Sequence, residues 1–195
     1  MTVGTKSVLF GAHAFWLHGF FTAKGWAALH GVPWDPRLWL AFFLHDIGYL
    51  GCRDVESAEG EEHVNLGARI MGALCGPKWA DFTLRHSRHW AKKHGVGVSR
   101  LCYADKVAFA ITPAWLYLPM AAASGELCEY MAKSRDRQAG NGYFTAEESR
   151  KLASSDPRVW LDGLQSYTLR WVAEHRGGRE DRWTDESVTA NGQCA

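Results

Sequence analysis

Asp35-Pro36-Arg37-Leu38-Trp39-Leu40-Ala41-Phe42-Phe43-Leu44-His45-Asp46-Ile47-Gly48 reads as a capped apolar helix that ends on an imidazole and a carboxylate. Asp35 and Pro36 suit the N-cap and the first helical position, because a carboxylate there accepts an orphaned backbone N–H and proline has none to lose. Leu38 to Leu44 are apolar on nearly every side, which predicts a helix built for burial. His45 and Asp46 then need partners, since an unmatched polar group or charge buried there costs several kcal/mol. A bound metal ion would satisfy both.

Upstream, Phe10, His13, Leu17, Phe20, Phe21 and Leu29 predict a long apolar helix over 10–30, which carries His18. Downstream come His63 in Glu61-Glu62-His63-Val64-Asn65-Leu66-Gly67-Ala68, His86 in Arg85-His86-Ser87-Arg88-His89-Trp90, and Asp105 in Leu101-Cys102-Tyr103-Ala104-Asp105-Lys106-Val107-Ala108. This order of His, His-Asp, His, His and Asp resembles the HD-domain superfamily of metal-dependent phosphohydrolases, over roughly residues 10–112. Ala104-Asp105-Lys106-Val107-Ala108 is similar to the family's closing aspartate segment. His63 with Leu66-Gly67-Ala68 is similar to the segment that adds a ligand in the two-metal branches, the dinucleoside tetraphosphate hydrolases among them. The resemblance implies an all-α helical bundle around a metal site. His18, His45, Asp46 and Asp105 would hold one ion, and Asp46 could bridge to a second held by His63 and His86. The distance from His18 to Asp35-Pro36 suits one helix and a short turn, which favours His18 as the first ligand. His13 is the alternative, and otherwise faces the substrate or packs in the core.

Imidazole nitrogens and carboxylate oxygens suit manganese, iron, cobalt, nickel or zinc, and a set without thiolates argues against a closed structural zinc site. Such an ion lowers the pKa of a water and neutralises charge developing on a phosphoryl group. The other role open to His63 and His86 is to contact substrate oxygens or to protonate a leaving group. Some HD nucleotidases place a glutamate one turn after the His-Asp pair to activate water, and here Tyr49 stands at that position. Proton transfer then falls to the metal alone or to the polar connector with Asp54, Glu56, Glu59, Glu61 and Glu62; Glu61 and Glu62 are the catalytic candidates and equally read as solvated charges.

Arg85, Arg88, Lys92 and Lys93 cluster near His86, and Arg100 and Lys106 flank Asp105, a distribution suited to a polyphosphate chain. Arg88 and Lys92 are four apart, hence on one face of a helix expected to start near Asp81, whereas Lys93 and Arg100 read as solvated. The substrate-binding candidates are Lys6, His13, Trp16, Arg88, Lys92 and Lys106, with Trp90 a second aromatic that could stack on a base. Most of the ten tryptophans read as core, and His30, His94 and His175 as surface residues.

The 195 residues, 47% of them hydrophobic, suit one catalytic domain over 1–176 and a polar, glycine-rich flexible tail over 177–195. With 22 basic and 21 acidic residues the net charge of +1 provides no field for long nucleic acid, so a small nucleotide is the expected partner. Five scattered cysteines and no visible secretion signal point to a reducing, cytoplasmic setting. Val107 to Ser124 carries no charge, but Pro113 and Pro119 interrupt it, which predicts a buried helix, a kink and a second helix continuing through 125–132, with no membrane partner. Thr145 with Glu148 forms a capping box, and Asp156-Pro157 opens a last helix toward His175. The apolar content permits a homo-oligomer.

Within the resemblance, Gly4-Thr5-Lys6-Ser7 and His86-Ser87-Arg88 are similar to small phage-type HD enzymes that remove triphosphate from dATP. Gly4-Thr5-Lys6-Ser7 is not a P-loop, since the upstream glycine and preceding strand are missing. The expected function is therefore hydrolysis of a (deoxy)nucleotide, foremost a deoxynucleoside triphosphate. The other branches are an HD nucleotidase, a dinucleoside polyphosphate hydrolase, a di-iron oxygenase and a nucleotide sensor without turnover.

Overall fold

Caps and prolines set most of the helix boundaries. The structure, a computed structural model, describes residues 1–55, 57–138 and 144–176, and among these all regular structure is helical. In order it comprises α1 (Val3–Phe10), α2 (Phe15–His30), α3 (Pro36–Leu44), a 3-10 turn (Ile47–Tyr49), α4 (Ala58–Glu61), α5 (Val64–Cys75), α6 (Pro77–Leu84), α7 (Arg88–Lys93), α8 (Arg100–Ile111), α9 (Ala114–Ser124), α10 (Glu126–Gln138), α11 (Ala146–Leu152) and α12 (Pro157–Arg176). Asp35 caps α3 by accepting the Arg37 N–H at 2.9 Å, and the Thr145–Glu148 capping box opens α11. Glu56 and the expected tail at 177–195 lie outside the described residues.

Three boundaries differ from the sequence expectation. The segment 10–30 is not one helix: α1 ends at Phe10 and α2 begins at Phe15, because the Ala12 N–H turns to the Glu126 carboxylate and the His13 N–H to the Ser7 hydroxyl instead of continuing the helical ladder. Arg88 and Lys92 do not share a helix with Asp81: α6 ends at Leu84, and Ser87 caps a new helix by accepting the Trp90 N–H at 3.1 Å. The continuation expected through 125–132 is also a new helix, α10, begun after Gly125. At Pro113, α8 and α9 meet at a bend of 101°, and no single described helix is long and apolar enough to cross a membrane.

The centre of the bundle is the α2–α8 pair, with α3 laid on α2, α5 paired with α6, α12 on α8 and α11, and α1 on α9. Trp26, Phe42, Met71 and Leu101 form one apolar cluster; Tyr117, Leu152, Trp160 and Leu161 a second; Cys102, Val107, Tyr167 and Trp171 a third. Helix α3 is not buried on every side. Its Ala41 and Phe42 face is covered by α2 and α5, while Trp39 and Leu40 stay exposed. The tryptophans divide in the same way: Trp26, Trp160 and Trp171 are core, whereas Trp16, Trp34 (86% exposed) and Trp115 (74%) lie on the surface. Apolar content exceeds what the covered helix faces can absorb, so part of it stays in water.

Gly25 sets how closely α2 and α8 approach. A Cβ there would stand 2.3 Å from the backbone oxygen of Ala104, one residue before Asp105. Backbone cannot give way as a flexible side chain does, so Gly25→Ala is expected to cost about 1–3 kcal/mol by overpacking, read as a lowered denaturant midpoint.

Candidate metal centre

Five segments bring their chemistry to one buried place. His18 comes from the first turns of α2, His45 and Asp46 from the end of α3, His63 from the residue before α5, His86 from the α6–α7 turn and Asp105 from the middle of α8. His45 lies on the covered face of α3, three and four residues after Phe42 and Ala41, which is why an apolar helix delivers it inward. Gly48 lets the following 3-10 turn lie on the segment before α5: a Cβ there would meet the His63 carbonyl oxygen at 1.8 Å.

Asp46 divides these candidate ligands into two groups. Its Oδ2 lies 3.2 Å from His45 Nε2 and 3.5 Å from His18 Nε2, and His18 Nε2 is also 2.9 Å from Asp105 Oδ1. Its Oδ1 lies 3.5 Å from His63 Nε2 and 3.3 Å from His86 Nε2. In each group, His18, His45, Asp46 and Asp105 or Asp46, His63 and His86, the ligand atoms fall within 4.8 Å of one another.

Three of the imidazoles are held in the same manner. Nδ1 of His45 faces the Phe42 carbonyl at 3.1 Å, Nδ1 of His63 the Gly60 carbonyl at 2.6 Å, and Nδ1 of His86 the Thr83 carbonyl at 2.5 Å. A carbonyl only accepts, so each Nδ1 carries a proton, and each ring turns its Nε2 toward Asp46. This is the orientation that metal-bound histidines adopt.

Two contacts test whether these residues fit a cation. His63 Nε2 and His86 Nε2 are 3.2 Å apart, each on a ring whose Nδ1 faces a backbone carbonyl. Two nitrogens each about 2.1 Å from one ion are about 3.0–3.4 Å apart at right or tetrahedral angles, so the spacing suits a shared cation. His45 Nε2 is buried without an aligned hydrogen bond although carboxylate oxygens lie at 3.2 and 3.7 Å. The donor set fits a divalent ion in the first group, and Asp46, His63 and His86 could hold another.

The electrostatics agree. Burial opposes charge on His45, but Asp46 and Asp105 outweigh it and lift the ring to about 10. Burial and the neighbouring His86 push His63 down to about 3. Burial opposes ionisation of Asp46 and Asp105 too, and His45 for the first, Lys106 and His18 for the second, hold both well below the ordinary carboxylate range. A field that draws protons so strongly onto a buried ring also draws a metal cation.

The remaining candidates are distributed around this centre. Lys106 Nζ lies 3.0 Å from Asp105 Oδ2 and is 37% exposed, joining the centre to solvent. The Arg88 guanidinium sits over Trp171 at 4.4 Å, and Lys92 follows one turn later on α7. Glu62 is exposed and engages Asn65 and Lys93, as a solvated charge does, while Glu61 ends α4 half-buried. Trp16 is half-exposed with its indole N–H on the Leu9 carbonyl, and Trp90 stacks on His94. Lys6 is half-buried on α1. His13 is not in the ligand groups; its ring lies 6.1 Å from that of His18 and 4.8 Å from that of Tyr49. Tyr49 in turn stacks on His63 at 4.1 Å with an interplanar angle of 8°.

Sequence reading missed the buried Glu126, which binds the turn holding His13. The signal available was its position, the first charge after the uncharged run from Val107. Burial opposes its ionisation, but the nearby His13 ring and hydrogen bonds from Ser124 and Tyr130 bring it to about 2.

Two outcomes follow. Metal-stripped protein equilibrated with manganese, cobalt or zinc should retain up to two ions per chain by elemental analysis and melt at higher temperature; Asp46→Ala should lose both ions and His63→Ala one. Retention of no ion by the wild type would contradict the fit. A depressed carboxylate contributes stability above its unfolded pKa, here near 4.5, and loses it as pH falls toward about 2. Unfolding titrations stepped across that window should therefore fall more steeply for wild type than for Glu126→Gln.

No protein-family model, curated protein sequence or solved structure matches this chain.

Proposed function

We propose that the chain is an HD-type metal-dependent phosphohydrolase acting on a (deoxy)nucleotide, foremost a deoxynucleoside triphosphate of the dATP type from which it releases triphosphate. The observation that carries the reading is the division of one buried carboxylate, Asp46, between two sets of inward-turned imidazoles beside a partly exposed lysine. Divalent ions of the manganese, iron, cobalt, nickel or zinc class held there would supply a more acidic water and Lewis acidity at a phosphoryl oxygen.

The chain's own groups provide the rest. His63, neutral across the physiological range, offers a lone pair and no proton, which favours a ligand role over that of a general acid. His45 and His86 are fixed by backbone carbonyls, so little reorganisation accompanies binding. Lys106 stays protonated beside Asp105 and draws phosphate oxygens toward the centre. Arg88, steadied on Trp171, and Lys92 on the same helix face extend that attraction along a phosphate chain.

The test is metal-stripped protein, with manganese, cobalt, zinc or iron restored singly, against nucleoside mono- and triphosphates and dinucleoside polyphosphates, products separated by chromatography. Deoxyadenosine and triphosphate from dATP, abolished in Asp46→Ala, are expected; monophosphate or dinucleotide cleavage would move the enzyme to another phosphohydrolase branch. Absence of hydrolysis with every metal would overturn the proposal, and oxygen consumption by the iron-loaded protein would then identify an oxygenase. Lys92→Ala should raise KM about three- to tenfold with kcat nearly unchanged, the pattern of a group that holds substrate and transition state alike.

A further inference from the structure

Glu126, at 0% exposure, opens α10, and its carboxylate gathers groups from across the chain. Oε1 accepts the Ser7 hydroxyl at 2.7 Å and the Tyr130 hydroxyl at 2.6 Å, while Oε2 accepts the Ala12 N–H at 3.1 Å and the Ser124 hydroxyl. Those donors fill the lone-pair directions a carboxylate offers. His13 Nδ1 is 3.4 Å from Oε1 but 2.8 Å from Ser7 Oγ, so its hydrogen bond belongs to the serine. A serine hydroxyl has one proton, and here it goes to Glu126. His13 Nδ1 must therefore donate to Ser7 Oγ, and it carries that proton whether the ring is neutral or charged.

The consequence is directional. The Nδ1 edge of His13 is tied to Ser7, the ring neighbours His18 and Tyr49, and the side chain is 24% exposed beside the buried ligands. We propose that Glu126 and Ser7 are positioning residues that act through His13, fixing its ring so that Nε2 meets a phosphate oxygen of a substrate bound next to His18. This rests on the phosphohydrolase reading. The arrangement parallels the aspartate of a hydrolase triad, which works by holding an imidazole in one tautomer and direction.

Ser7→Ala is the sharpest variant, since Glu126 keeps its bonds to Ala12, Ser124 and Tyr130. It is expected to lower kcat/KM about tenfold, the size of one lost hydrogen bond, with retained metal unchanged. Introduced into His13→Ala it should lower kcat/KM no further, whereas a residue that only supports the fold would cost the same in both backgrounds. Equal losses, or no loss in Ser7→Ala alone, overturn the proposal. A second readout does not depend on turnover: inorganic triphosphate added to the metal-loaded zinc protein should shift the His13 Nε2 resonance in wild type and much less in Ser7→Ala. Absence of that shift in wild type overturns the positioning role. Its presence without hydrolysis of any nucleotide upholds the positioning role and overturns the phosphohydrolase reading instead.

Discussion

A carboxylate taken out of water is costly unless it is matched, and Asp46 is matched on both oxygens by imidazoles from four different segments. The rest of the architecture serves that requirement. Helix α2 must approach α8 closely enough for His18 to reach Asp105, and Gly25 permits it. The turn after α3 must lie against the backbone of His63, and Gly48 permits that.

The way the imidazoles are held draws on a property every helix has. The last turn of a helix leaves carbonyls without intrahelical partners. Phe42 near the end of α3, Gly60 in α4 and Thr83 at the end of α6 are such positions, and their oxygens receive Nδ1 of His45, His63 and His86. The Gly60 and Thr83 oxygens also accept the backbone N–H of His63 and His86, so one carbonyl anchors both the main chain and the ring and sets the tautomer. The short helices and frequent breaks around the centre are the means by which helix ends are brought to it.

Much of this was legible in the chain because it is written in local chemistry. Asp35-Pro36 announced α3, Thr145 and Glu148 announced α11, and the spaced histidines and aspartates, His18 included, are the residues the fold gathers into two groups able to hold a metal ion. What escaped notice depended on distant partners. The break in 10–30 falls at Gly11, the C-cap of α1, and is held by Glu126, more than a hundred residues away. The separation of α7 from α6 turned on the Ser87 cap, visible as a residue type but not as a boundary. Apolar residues announced a core, yet Trp34 and Trp115 are outside, because periodicity does not say which helix faces find neighbours. Glu61 and Glu62 looked suitable by type and proximity in sequence, while the structure engages Glu62 with Lys93.

The ligands are spread from residue 18 to residue 105, and none of the segments that carry them completes either group alone. During synthesis a chain emerging from the ribosome cannot assemble the first group until Asp105 has been made and α8 has docked on α2. Capture of an ion by that group would therefore follow the docking of α8 on α2 rather than precede it. An ion taken up there would then be chosen by side chains already in place, so supply, as much as intrinsic preference, would set the occupant.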